Sequence, residues 1–208
     1  MLFLKKMKSI KKVKHKIFLF IYYILASKLP NYAFPGGKFY NKLRIFCLRQ
    51  FMSVGKECRI MRNVYIGSGK NISIGDHCRI NENVRLNNVK IGNHVMIARD
   101  TVILGKTHVV SNLNIPMEKQ GNLESKTTII ENDVWIGQNV TIMSGVCIGS
   151  GSIIANNSHV VKSCPAYSII GGNPAIIIKK RFSESQIEKL LEIKWWDWDN
   201  DKINRNLV

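Results

Sequence analysis

The sequence predicts a parallel β-helix of hexapeptide repeats with helical segments at both ends. Three observations carry that class. Aliphatic residues return every six positions, small or β-branched residues stand two positions before most of them, and the rhythm breaks once, at length. From residue 130 the chain divides without remainder into IENDVW, IGQNVT, IMSGVC, IGSGSI, IANNSH and VVKSCP. The hexads open on Ile130, Ile136, Ile142, Ile148, Ile154 and Val160, and Val134, Val140, Val146, Ser152 and Ser158 precede the last five. Upstream the same beat runs through Ile74, Ile80 and Leu86, then after a five-residue step through Ile91, Ile97 and Ile103. Cys78, Val84, Val89, Val95 and Thr101 are the partners there, and a weaker start shows at Ile60 and Ile66.

An amphipathic helix repeats its face every 3.6 residues, so a period of six excludes one. Six residues suit a short strand and a turn: aliphatics stack into ladders inside while small residues let the backbone round a corner. Three hexads make one triangular coil, so the repeats predict about four coils. The pattern puts Cys58 and Cys78 inside as small core residues. The Asn and Gly of NISIGDHC and IANNSH suit corners that need left-handed backbone.

The N-terminal element is a basic and apolar segment, residues 1–52. MLFLKKMKSIKKVKHK holds seven lysines and no acid, and the ten apolar residues IFLFIYYILA follow. As a helix those ten span about 15 Å, half of a hydrocarbon core of about 30 Å, which argues against a full crossing. A basic head with a short apolar run also describes a signal peptide, but seven lysines exceed what a signal needs. An interfacial helix on an anionic membrane is one reading. Packing on its own domain or on a partner subunit is the other, and the two are compatible. Pro30 and Pro35–Gly36–Gly37 supply turns, and a second helix is expected from about Phe39 to Phe51.

Charge separates this segment from the body. The 208 residues carry a net +17, yet residues 1–62 hold 15 Lys and Arg against a single acid, Glu57. Nucleic acid is not the expected partner, because the basic run leads into aliphatics rather than spaced aromatics or a recognised motif. The five cysteines, 47, 58, 78, 147 and 164, are odd in number and lack Cys-x-x-Cys spacing. That argues against a disulfide framework and a zinc site, and for reduced thiols in a cytoplasmic protein.

The repeat region is expected over residues 53–182. From Ile103 to Ile130 is 27 residues, four and a half hexads, so the chain must leave the coil and return out of register. The segment 108–128, with Pro116 and Gly121, reads as a polar excursion opening at His108. Long loops in compact domains are usually functional or disordered. The C-terminal element, residues 183–208, begins with a capping box, Ser183 with Gln186. Ile187, Leu190, Leu191 and Trp195 then form one helical stripe. The stripe would pack back on the coil, over its own chain or over a neighbour's active site.

The stretch ENDVWIGQNVTIMSGVCIGSGSIIANNSHVV…GGNPAIIIKKR resembles the left-handed β-helix hexapeptide acyltransferases, and the resemblance covers nearly all of residues 54–182. YYILASKLPNYAFPGGKFYNKLR resembles the subgroup that O-acetylates bacterial surface polysaccharides. IEKLLEIKWWDW is similar to the xenobiotic acetyltransferases that modify antibiotics. The resemblance implies left-handed coiling, acetyl-CoA as donor, a homotrimer, and active sites between neighbouring subunits.

Acetyl transfer to a hydroxyl needs a base for the attacking alcohol and donors aimed at the oxyanion. A histidine, with an ordinary pKa of about 6.5, suits the first task. The family's catalytic histidine opens the excursion loop, and His108 is the match. Polysaccharide relatives often carry a second histidine two residues earlier; here Lys106 stands there. His15 lies in the lysine run, and His77, His94 and His159 fall at turn positions within hexads, as surface or corner residues. The resemblance further implies Asn81 as an acceptor-sugar contact and Trp135 as a wall of the site or an aromatic buried at the trimer interface. It implies a backbone N–H near Gly137–Gln138 as oxyanion donor. For coenzyme A it implies Gly137, Asn156 and, in the closing GGNP turn, Pro174, with Lys162, Lys179, Lys180 and Arg181 for the phosphates, the last three alternatively as a solvated run. No metal is required, since these histidines are poorly placed for the zinc site of carbonic anhydrases sharing the fold.

The resulting expectation is an O-acetyltransferase of capsular or other surface polysaccharide. It would be cytoplasmic or peripheral on the inner membrane face, with a saccharide acceptor, free or lipid-linked. An antibiotic O-acetyltransferase, a sugar-nucleotide N-acyltransferase and a membrane-associated β-helix scaffold are the alternatives.

Overall fold

The computed structural model describes residues 2–206, and side chains from residue 10 to 206 apart from 200. The hexads do form a three-sided parallel coil. On the first face Val54, Ile74, Ile91, Ile130 and Ile148 sit one above another in register. On the second face the ladder is Ile60, Ile80, Ile97, Ile136, Ile154 and Ile170. The third face stacks Ile103, Ile142 and Val160, continued downward through bridges at Val102, Arg85 and Tyr65. The isoleucines of these ladders are buried, and Val134, Val140, Ser152 and Ser158 are buried beside them at the corners. Burying one such side chain is worth about 1.5–3 kcal/mol.

There are five complete coils and the start of a sixth, more than the four the strongest repeats suggest. The weak start at Ile60 and Ile66 is a full coil, so the first rung obeys the same sterics with a less regular sequence.

The corners after the first and second faces each carry one residue in the left-handed region, six positions apart: Glu57 and Asn63, His77 and Asn83, His94 and Asp100, Asp133 and Asn139, Gly151 and Asn157. Side-chain amides and carboxylates then tie coil to coil. Between the first and second faces, Asp76 accepts from Lys56 N–H (2.6 Å), Asn93 from Asp76 N–H (2.9 Å), Asn132 from Asn93 N–H (2.8 Å) and Ser150 from Asn132 N–H (3.3 Å). The Asn richness of the sequence therefore satisfies corner backbone that the parallel ladders leave open.

An open-ended solenoid leaves a row of unpaired backbone groups. The N-terminal helices α1 (Leu2–Ile24) and α2 (Gly37–Arg49) cover that row. Arg49 donates to Val54 and Gly55 carbonyls under the first face. Asn41 donates to Cys58 C=O (3.0 Å) and accepts from Ile60 N–H (2.8 Å) under the second. Under the third, Tyr22 O–H donates to Val64 C=O (2.8 Å), and the Tyr23 hydroxyl accepts from Ile66 N–H (3.1 Å). The fully buried Arg44 clamps the α1–α2 link by donating to the carbonyls of Ala26, Leu29, Pro30 and Ile60. α2 starts and ends two residues before the expected helix.

At the other end the chain turns back after Gly172. The strand Ala175–Lys180 runs antiparallel to Ser168–Gly172 and finishes the second face. Helix α3 (Glu184–Ile193), with its Ser183–Gln186 capping box, and the turn Trp195–Asp197 lie along the corner between the first and second faces of their own chain. Trp196 and Ile187 bury against Tyr167, the His94 and Trp195 rings lie 5.0 Å apart, and Asn93 donates to Asp197 at 3.4 Å. A short helix, α4 (Asn200–Asn206), follows.

Candidate functional site

The excursion leaves after the third face of the third coil and returns to the first face of the fourth. Val89 pairs with Thr128 and Ile91 with Ile130, in ordinary parallel register. The numerical beat slips, but the ladder does not, because everything between is accommodated at one corner. The expectation of a return out of register is thus corrected.

The inserted residues form a hairpin rather than a loose loop. His108 bridges antiparallel to Asn122, Leu123 N–H donates to Thr107 C=O (2.8 Å) and Val109 N–H to Gly121 C=O (3.1 Å). Gln120 ties the tip by bonding Asn112 at both N–H and C=O and Ile115 at C=O. Asn88, left-handed at the five-residue step, anchors the returning strand through Ser125 (3.0 and 2.9 Å) and Thr127 (2.9 Å). His108 therefore sits in a braced stem with its side chain exposed. Nor is the hairpin simply polar. Val110, Leu113, Met117 and Leu123 point into solvent, Leu113 at 99% exposure. Sequence reasoning missed these residues, although VVSNLNIPM already alternates apolar with polar.

The residues implied for the site divide among three corners. The corner between the third and first faces carries the His108 hairpin and, two coils on, the exposed Lys162. The corner between the second and third faces carries Asn81 on the second coil, Gly137 on the fourth, Asn156 on the fifth and Pro174 above them, with Trp135, 49% exposed, beside it on the second face. The corner between the first and second faces receives Lys179, Lys180 and Arg181, because Lys180 pairs with Ser168 at the start of its strand.

Hydrogen bonding separates spent groups from free ones. Gly137 N–H donates to Ile154 C=O (2.9 Å) and Gln138 N–H to Asn156 Oδ1 (2.8 Å). The expected oxyanion donor is a backbone N–H near Gly137–Gln138, and the N–H groups of these two residues are both bonded within the coil. Gly137 also has a packing reason: a Cβ there would lie 2.5 Å from Asn156 Oδ1 and 2.7 Å from Asn156 N. Asn81 donates to Ile97 C=O (3.0 Å), which holds the side chain, and no partner engages its carbonyl oxygen among the described residues. Arg181 is held by Asp133 (3.5 Å) and Gly151 C=O (2.6 Å), and Lys180 by Ala166 C=O (3.1 Å) and Glu184 (3.9 Å). Burial, the larger influence, pushes the Asp133 carboxyl upward despite the guanidinium. Lys162 and Lys179 have no hydrogen-bond or carboxylate partner among the described residues.

The other histidines lie on the coil or, in the case of His15, against it. His77 and His94 stack at corners (4.6 Å between ring centroids), and His77 lies 3.4 Å from Glu57. Burial first, then His77, pushes His94 below the ordinary histidine value. His15 bonds Ser68 C=O (2.8 Å). His159, expected at a turn, lies in the strand His159–Val160. Cys58 and Cys78 are buried as expected, each thiol donating to a carbonyl of the next coil at 3.1 Å. Among the described residues no three of His, Cys, Asp and Glu gather as metal ligands.

Comparison with known proteins bears on this geometry. Residues 127–162 match the family model described as bacterial transferase hexapeptide (six repeats). A Lysinibacillus sphaericus protein named for macrolide acetylation is 64% identical over 80 residues, 38% of this chain and 44% of that relative. The chain thus spans less than half the length of that relative. WbbJ of Escherichia coli K12, named for O-acetyl transfer in lipopolysaccharide biosynthesis, is 32% identical over 165 residues, 64% of this chain and 84% of WbbJ. The solved hexapeptide-repeat acetyltransferase VCA0836 of Vibrio cholerae, complexed with acetyl-CoA, is 33% identical. It superposes with a TM-score of 0.62 over 67% of this chain and 77% of its own.

Proposed function

The chain belongs to the hexapeptide-repeat acetyltransferase family, and on that premise we propose that it is an acetyl-CoA-dependent O-acetyltransferase of capsular or other surface polysaccharide, with His108 as general base. A ring nitrogen of His108 takes the proton of the acceptor hydroxyl as its oxygen attacks the thioester carbonyl. The tetrahedral oxyanion collapses, the C–S bond breaks, and the departing thiolate receives the proton from the imidazole. The products are an acetyl ester and free coenzyme A. Asn81, through its open carbonyl oxygen, orients the sugar. Lys162 and Lys179 are better placed for coenzyme A phosphates than Lys180 and Arg181, which are already engaged.

The observation that carries the reading is that His108 and Lys162 lie on one corner of the chain and Asn81, Trp135 and Asn156 on or beside another, with the third face between, while Lys179 lies on the remaining corner. No single chain brings them together. A homotrimer with the third faces toward a common axis sets one corner of each copy against the other corner of the next. Such head-to-tail contacts close a ring. The exposed Leu113 and Met117 of the hairpin and the exposed Trp135 and Met96 are then the apolar parts of that contact.

Complementation tests this. His108→Ala and Asn81→Ala chains, each impaired alone, regain transfer when co-expressed if one site takes residues from two copies. If each site lies within one chain, no mixed assembly is whole and activity stays lost.

The acceptor is a surface saccharide at the inner face of the cell membrane, in lipid-linked form. WbbJ, named for a polysaccharide role, matches over most of its length, and the relative named for macrolides over less than half. Loss of polysaccharide O-acetylation on deleting the gene is the expected outcome. Unchanged acetylation, with transfer to a macrolide by the purified protein, would favour the antibiotic reading that the local 64% identity supports.

A further inference from the structure

We propose that the outward face of α1 docks the protein on an anionic lipid bilayer. The proposal extends the reading of a lipid-linked acceptor and concerns a surface apart from the catalytic corners. α1 has two faces of unequal fate. His15, Phe18, Leu19, Tyr22 and Tyr23 turn inward, where Tyr22 and Tyr23 bond the Val64 and Gly67 carbonyls and Phe18 and Leu19 join the core. Ile10, Val13, Ile17, Phe20 and Ile24 turn outward, each 51–66% exposed. Their spacing alternates three and four residues, so they form one stripe along the helix, opposite the pinned face. Large apolar residues scattered singly on a surface are ordinary, whereas five in line call for an occupant.

Charge selects the occupant. At about 100° per residue, Lys14 and Lys16 stand roughly 80° to either side of the stripe. Lys11 and Lys12 lie in the same stretch, and the sequence has no acid before Glu57. A second copy packing its own α1 here would set lysine rows against each other. A bilayer containing anionic lipid offers an acyl boundary for the stripe and phosphates for the lysines. Among the described residues no helix is long and apolar enough to cross a membrane, so α1 would lie in the plane of the interface.

Co-sedimentation of the full chain with phosphatidylcholine vesicles, with and without phosphatidylglycerol, tests the proposal. Binding is expected to phosphatidylglycerol-containing vesicles and to be at least tenfold weaker without that lipid. The Ile17→Glu/Phe20→Glu variant should lose at least tenfold while keeping coenzyme A binding and native mass. Lys14→Glu/Lys16→Glu should weaken binding and reduce its salt dependence. Equal binding to both vesicle types, or by the apolar variant, overturns the proposal. A changed native mass in the apolar variant assigns the stripe to a contact between copies and also overturns it. Failure of the catalytic reading would appear instead as absent coenzyme A binding or acetyl transfer.

Discussion

Two corners of the same prism, built from the same hexads, end in opposite states. Where the first face meets the second, the ladder from Asp76 through Asn93 and Asn132 to Ser150 consumes corner N–H groups coil after coil. His77 and His94 stack there, Arg181 pairs with Asp133, and Trp195 and Trp196 close over the top. Where the third face meets the first, the chain departs into a hairpin whose His108, Leu113 and Met117 face solvent. Buried and satisfied polar groups hold shape, while exposed groups on a braced support are free to act on a ligand.

The largest expected effect breaks the open corner. His108→Ala should lower acetyl transfer by about 10²–10⁴-fold. Circular dichroism and native mass should not change, because the exposed ring holds nothing in place; steady-state rates against acetyl-CoA are the measurement. Next comes the shared core. Ile136→Ala removes a fully buried rung of the second-face ladder and should cost about 2–5 kcal/mol in denaturant unfolding. A smaller loss would mean the coils collapse around the gap.

Lys162→Ala sharpens the comparison further. If this side chain meets a phosphate, the KM for acetyl-CoA should rise several-fold and depend less on salt, with kcat little changed. An unchanged KM returns Lys162 to the solvated surface.

The smallest effect belongs to the closed corner. Burial and His77 hold the His94 pKa below its ordinary value. As pH falls below about 6.5, the unfolded chain takes up a proton that folded His94 refuses, so stability falls toward the lower folded value. This contribution is present in full at neutral pH. His94→Asn, which tolerates the left-handed corner, should flatten the acid side of the Tm–pH curve. An unaltered curve would exclude His94 as the source.

Much of the fold was legible in the chain. Isoleucine every six residues determines a three-sided coil because each ladder must bury, and only a strand-and-turn unit repeats at six. The hairpin's position at His108 was equally readable as the point where the beat fails. The capping box at Ser183 was readable too, since it is local.

Tertiary structure alone decided three other matters. Corner hydrogen bonds join residues many positions apart, so the spending of the Gly137 and Gln138 N–H groups on the next coil was invisible in sequence. The two fates of α1 depended on which face met the first coil, which helical periodicity does not specify when both faces are apolar. The division of the candidate residues between corners followed from closing the coil. A six-residue beat says how often the chain turns, and only the stacked coils say which turns lie above one another.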